Sequence, residues 1–282
     1  MNKDFFTNNR KKFIEKMKDN SIAVFFSGKP ARTTADQFSE FDVDRNFYYF
    51  TGINRTDMVL VISKEEGNSS EMLFIPPIDE LYEKWNGILM RKEEATEASG
   101  IENIQEITTF EKNIAVQITS RIRPENIYLF FYHSELNEPL NEYKRLANKI
   151  REQFPSLNII NSLDIITELR SVKTPEEIEK IRESIKITKE ALENVMMNLK
   201  PDTYEYESRA HFESYLLHRN VRKGFHTIAA SGKNGVILHY DNPIKKMKSG
   251  ELLMLDLGAQ RCCYASDISR TYPVNGKFSD RQ

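Results

Sequence analysis

Cysteine is nearly absent: the sequence holds two, Cys262 and Cys263, and they are neighbours. Adjacent thiols cannot supply the spaced ligands of a cysteine-based metal site, and their scarcity fits a reducing compartment. An excess of either charge is also missing. Lys and Arg number 40 against 42 Asp and Glu, a net charge of −2, so there is no general electrostatic case for nucleic-acid binding. No apolar run approaches the roughly 18 residues of a membrane span. The stretch 1–20 is charged and lacks the apolar centre of a secretory signal. No repeat or low-complexity stretch occurs. A cytoplasmic protein with no nucleic acid and no membrane as partner is expected.

Apolar residues make up 39% of the 282 positions, enough for one large core or two ordinary ones. In the first half, apolar and basic residues alternate at helical spacing over 5–18. Compact apolar runs at 21–27, 58–63, 71–75, 127–132 and 157–161 read as strands. The stretches 81–97, which carries Trp85, and 136–154 read as helical in part or whole. Alternating strands and helices predict an α/β domain with a mixed sheet. The aromatic cluster NFYYFTG at 46–52 has no interleaved basic residues and reads as core packing.

A helix start follows at Thr174. Thr174 suits the N-cap, Pro175 the first helical position, and Glu177 completes a capping box. Ile178, Ile181, Ile185, Leu192, Val195, Met196 and Leu199 form an apolar stripe, and Pro201 ends the helix. A second helix spans about 204–219. Strands are expected at 228–230 and 236–238 around a turn at 231–235, so the second half has an α+β pattern. The domain boundary is placed at 1–165 and 166–282.

The stretch 252–273, LLMLDLGAQRCCYASDISRTYP, reads as two strands around a turn. Asp256 and Asp267 sit near strand ends. In a regular hairpin turning near Arg261 and Cys262 they would lie directly opposite each other. Opposed like charges repel, and a hard cation with a preference for oxygen ligands reverses that argument. His239, at the end of the 236–238 strand, could exchange a proton beside a polarised carbonyl. His133, His211 and His218 read as ordinary core or surface residues.

These motifs resemble the Xaa-Pro metallopeptidases, aminopeptidase P and prolidase, of the "pita-bread" fold. ASGKNGVILHY is similar to the family's GSGxNxxxLHY segment. GELLMLDLGAQRCCYASDISRTYPVNGKFS is similar to GDLVLIDxGxxxxGYxSDITRTFPVNGKF. DRNFYYFTG and LFIPPIDELYEKWNG resemble the creatinase-type N-terminal domain. The resemblance implies that Asp256 is a bidentate metal ligand and Asp267 a bridging one, for two divalent ions, usually Mn²⁺. It implies that His239 helps bind substrate and stabilise the transition state. Thr271 becomes an outer-shell partner of the ligands. A proline-containing peptide is the implied substrate, and a homo-oligomer, dimer or tetramer, the implied assembly.

The chain departs from the pattern in three places. His226 stands where many relatives carry another polar residue. Cys262 and Cys263 replace the usual turn residues and are read as packing residues. One His and two Glu ligands of the family have no counterpart, so a chain truncated within its pita-bread domain and inactive alone is expected. The alternatives are a prolidase acting on dipeptides, a non-catalytic binding or oligomerisation module, and a metal-free creatinase-like hydrolase. The last fits less well, because both aspartates are retained.

Overall fold

The computed structural model describes residues 1–132 and 138–282. The chain divides into two compact units, Met1–Val172 and Lys173–Gln282. His133 and the first residues of the helix expected at 136–154 lie outside the described residues.

The first unit begins with α1 (Lys3–Lys16), β1 (Ser21–Phe26), a short ribbon of β2 (Arg32–Thr34) and β3 (Gln37–Phe38), and α2 (Arg45–Thr51). It continues through β4 (Val59–Glu65), β5 (Asn68–Ile75), α3 (Glu80–Asn86), α4 (Lys92–Ser99), β6 (Ile104–Glu106) and α5 (Phe110–Ile118). It closes with β7 (Asn126–Leu129), α6 (Glu142–Gln153), β8 (Asn158–Asn161) and α7 (Leu163–Ser171). Six strands form one sheet in the order β6-β5-β4-β1-β7-β8. β4 runs antiparallel to both its neighbours, and the outer pairings are parallel. The sheet is therefore mixed, as the alternation of elements predicts.

β1 is central and buried along its whole length. Its Ile22, Val24 and Phe26 pack with Ile114 of α5 and Ala147 and Ile150 of α6. Phe25 meets Phe13 of α1 and Phe50 of α2, with ring centroids 5.3 and 4.7 Å away. The NFYYFTG cluster is thus a core helix, N-capped by the Asp44 carboxylate, which accepts from the amides of Asn46 and Phe47. Gly52 ends that helix at φ +72°, and a Cβ there would stand 2.3 Å from the Phe6 ring.

Arg10 ties these layers together. Its side chain is fully buried and pairs with Glu71 of β5 at 2.9 Å, off the angle of a hydrogen bond at Nε. Nη1 donates to Phe50 O (2.6 Å) and Ser99 O (2.9 Å), in the last turns of α2 and α4. Carbonyls at helix C-termini lack intrahelical donors and form the negative end of the helix dipole. One guanidinium fork satisfies two such ends at once.

The second unit contains α8 (Pro175–Asn198), α9 (Glu205–Leu217), β9 (Arg222–Lys223), β10 (Ile228–Ser231), β11 (Leu252–Leu257), β12 (Ala259–Arg261), β13 (Tyr264–Ala265) and β14 (Ile268–Pro273). β10-β11-β14 form one antiparallel sheet and β13-β12-β9 a second. The capping box forms: Glu177 N donates to Thr174 Oγ1 and Thr174 N to Glu177 Oε2. The isoleucine stripe does not become the inner face throughout. Ile178 and Ile185 are 41% and 43% exposed, while Glu177, Ser184 and Thr188 are buried beside Ala191, Leu192 and Val195. Backbone groups of the β12–β13 hairpin need hydrogen-bond partners, and hydroxyls supply them where isoleucine could not. Ser184 Oγ donates to Tyr264 O (2.8 Å), and Ala259 N donates to Thr188 Oγ1 (2.8 Å).

Replacing Arg10 by Met should destabilise the first unit by about 3–5 kcal/mol, because Glu71 and two helix ends lose their partner. The measurement is urea unfolding followed by circular dichroism. An unchanged midpoint would refute the keystone role.

Candidate functional site

Alternate residues of β11 face opposite sides of its sheet. Leu253, Leu255 and Leu257 are fully buried in the core with α8 and α9. Leu252, Met254 and Asp256 point to the other face, half-exposed. β14 pairs with β11 so that Asp256 opposes Ser269 and Met254 opposes Thr271. Ser269 and Thr271 therefore share the open face with Asp256. The same register continues into β12 and β13, with Gln260 opposite Ala265. Asp267 accordingly faces Gly258 and stands diagonal to Asp256 on that face.

The two aspartates are thus not directly opposed, as a turn near Arg261 and Cys262 would make them. The turn is one residue later, at Cys262 and Cys263, whose φ values of 50° and 62° are both left-handed. Two consecutive positive φ values define the tight hairpin turn whose twist matches that of the flanking strands. The cysteines are turn residues rather than packing residues: Cys262 is exposed, Cys263 half-buried, and neither forms a disulfide.

Between the two sheets the strand pair bends at Gly258. A Cβ there would stand 1.8 Å from Ser266 O, and Gly258 O accepts from Gly224 N at 2.7 Å. Ser266 Oγ lies 2.7 Å from Thr188 Oγ1 of α8, so the helix holds the bend that leads into Asp267.

Asp256 Oδ1 accepts the Ser269 hydroxyl at 2.8 Å. Among the described residues neither aspartate has a cationic side chain in ion-pair range. Two carboxylates on one accessible face, one oriented by a hydroxyl and neither ion-paired among the described residues, form a donor set suited to a hard divalent cation. No group of three or more His, Cys, Asp or Glu side chains with metal-binding geometry occurs among the described residues.

His239 is exposed and lies in irregular chain beyond a 3-10 turn, Gly232–Val236. The strand expected at 236–238 does not form: Val236 and Leu238 are 83% and 85% exposed. β10 stops at Ser231 because its amide goes to a side chain, Glu205 Oε1 at 2.6 Å, and not to a neighbouring strand. The 3-10 turn crosses the open face. A Cβ on Gly235 would be 3.7 Å from Met254 Cβ, two residues along β11 from Asp256. His239 therefore follows a segment on the aspartates' side, without a direct bond to either.

The residue that sequence reasoning missed is Glu205. It is fully buried at the first position of α9. Its carboxylate accepts from Ser231 N and Oγ, Asn234 Nδ2, Tyr240 Oη and Lys245 N, at 2.6–3.1 Å. Burial, and donation to Glu205, raise the Tyr240 phenol above its ordinary pKa. A partial signal was present: Ser231, Asn234 and Tyr240 are three of the five polar letters of ASGKNGVILHY.

The remaining histidines stand apart. His226 is exposed, with Nε2 3.3 Å from Arg209 Nη1. Burial pushes the neighbouring Glu213 up, but hydrogen bonds from Arg209 (2.9 Å) and Lys223 (3.1 Å) outweigh it and hold the carboxyl below its usual range. His211 contributes its carbonyl to Asn194, and His218 caps the end of α9.

Comparison with known proteins places this α/β unit and the helix-backed antiparallel strands that follow it in a class of metallopeptidase. Residues 6–128 match the aminopeptidase P N-terminal domain, and 179–282 match metallopeptidase family M24. The chain is 29% identical to a Xaa-Pro aminopeptidase of Haemophilus influenzae over 99% of its length and 63% of that relative's. It is 28% identical to the Xaa-Pro aminopeptidase of Escherichia coli, covering 63% of it. A Bacillus anthracis structure named as a "putative aminopeptidase P" superimposes with a TM-score of 0.96 at 37% identity, over all of this chain and 67% of that one. Zinc-substituted E. coli aminopeptidase P in complex with product gives 0.90 at 26% identity, over 100% and 64%. The chain belongs to the aminopeptidase P family, and it spans a little under two thirds of these curated relatives. Its fold is the creatinase-type domain followed by part of the pita-bread domain.

Gly258→Ala should lower stability by about 2 kcal/mol or more, because Ser266 O is backbone and must shift with its strand. Thermal unfolding and hairpin amide shifts would register it. A variant as stable as the parent, with unmoved resonances, would show that the bend is not sterically fixed.

Proposed function

We propose that the protein is a metal-dependent aminopeptidase that removes the N-terminal residue from peptides with proline second. The observation that carries this reading is the placement of Asp256 and Asp267 on one open sheet face with no protein cation beside them among the described residues. Asp256 and Asp267 would hold two divalent ions, with Mn²⁺ the ion of choice. Bound there, such ions supply an acidified water as nucleophile and polarise the scissile carbonyl.

The side chains then have separate tasks. Ser269 fixes one oxygen of Asp256 and so its orientation. Thr271, diagonal to Asp256 on the other side, lines the same face. His239, free of any side-chain hydrogen bond among the described residues, is available to hold the peptide and donate a proton near the carbonyl oxygen. A bond before proline is a tertiary amide of restricted geometry, which explains the need for a dedicated pocket. The exposed Leu81, Tyr82, Trp85 and Ile88 of the first unit support association into a homo-oligomer. No helix among the described residues is long and apolar enough to cross a membrane, and we place the protein in the cytoplasm on its two reduced thiols.

The resemblance calls for one further His and two Glu ligands that these residues do not supply. We therefore expect the 282-residue chain alone to turn over little or no peptide. The test is release of the first residue from an Xaa-Pro-Pro peptide, with and without Mn²⁺, by this chain and by a form extended to its relatives' length. Activity is expected in the extended form only. Asp256→Asn should abolish it, and Ser269→Ala should lower it by about 10–100-fold through loss of ligand orientation. An extended, folded, Mn²⁺-loaded protein that leaves the peptide intact would refute the reading.

A further inference from the structure

The segment between β10 and β11 carries His239, and around that residue it has almost no core of its own, although Met247 near its end is fully buried in the core with α8 and α9. Val236, Ile237, Leu238 and Ile244 are 83%, 49%, 85% and 63% exposed. Apolar burial therefore cannot fix its path around His239. What fixes it is polar. Ser231 at its start, Asn234 in the 3-10 turn, Tyr240 directly after His239, and Lys245 near its end all donate to the Glu205 carboxylate. A second anchor lies beside the first: Lys245 Nζ donates to Ser231 O (3.1 Å) and to Glu251 Oε1 (2.8 Å). It closes the base of the loop but does not reach the His239 side of it.

We propose that Glu205 is a positioning residue for His239. The Tyr240 hydroxyl, held 2.8 Å from Glu205 Oε2, pins the backbone one residue from the imidazole. Asn234 Nδ2 braces the same hydroxyl at 3.0 Å. The serine, asparagine and tyrosine of ASGKNGVILHY are thus explained as donors to one buried carboxylate, and the histidine as the group they present. Glu205 needs no contact with substrate or metal for this. It acts by removing alternative conformations of the loop, so that His239 need not be ordered during the reaction.

The proposal rests on the peptidase reading only for its kinetic consequence, so two separate measurements are needed. The first is independent of activity: carbon–proton correlation spectra of the histidine rings in this 282-residue chain. Glu205→Gln keeps the shape but turns one acceptor oxygen into a donor. It should shift or broaden the His239 resonance and leave His226 unmoved. Tyr240→Phe removes a single hydroxyl, and it decides the matter if the glutamine variant does not fold. An unmoved His239 resonance in a folded variant overturns the proposal.

The second measurement is a double-mutant cycle in the active, extended protein. Glu205→Gln should lower kcat/KM about tenfold, and by less than about twofold in a His239→Ala background. Equal losses in both backgrounds would mean that Glu205 does not act through His239. An inactive parent protein would count against the peptidase reading, and the spectra would still decide the role of Glu205.

Discussion

A carboxylate sealed from water, with no ion-pair partner among the described residues, governs the second unit. Leaving such a charge unpaired in the interior costs several kcal/mol. Glu205 avoids that cost with five protein donors and with its place in the first turn of α9, where the helix dipole favours negative charge. The dependence runs both ways. The carboxylate is tolerated only because the chain folds back over it at Ser231, Asn234, Tyr240 and Lys245. Around His239 the apolar side chains of that chain are exposed and offer no competing core.

The first unit solves the mirror problem. Arg10 is a buried cation, and it too lies against helix ends of matching sign, here the C-terminal carbonyls of α2 and α4. Each unit therefore has a dispersed apolar core and a buried charged group that fixes how segments meet. Hydrophobic burial supplies most of the stability but is non-directional. A charge-assisted hydrogen bond fails if its partner shifts by an ångström, so it specifies an arrangement that packing alone leaves open.

Much of this was legible. The capping box at Thr174 and Glu177, the mixed sheet of the first unit and the helix pair of the second all follow from local patterns. Two of the failures share a physical cause: a side chain served a backbone group far away in sequence. The isoleucines of α8 looked like the inner face, but the hairpin at 259–265 required hydroxyls there. The run 236–238 looked like a strand, but Glu205 took the amide on which β10 would have continued. Glu205 itself had no local mark, since a Glu in the first turn of a helix is ordinary. Its importance lay in the three donors of a motif further along the chain.

The misplaced turn bears on the chemistry. With a turn centred between Arg261 and Cys262, Asp256 and Asp267 would be direct cross-strand neighbours, Cβ atoms about 5 Å apart, their charges repelling. Centring it on Cys262 and Cys263 puts Ser269 in the opposed position and moves Asp267 to the diagonal, about 7–8 Å away. A hydroxyl then takes the place of a like charge, and it orients Asp256 instead of repelling it. Were the two carboxylates to hold divalent ions as proposed, the wider spacing would leave room for oxygen ligation between them. Two adjacent residues able to hold left-handed φ, together with a glycine that tolerates a strand bend at 258, thus set the separation of the carboxylates. The site's geometry is decided at a turn and a bend that carry none of its chemistry.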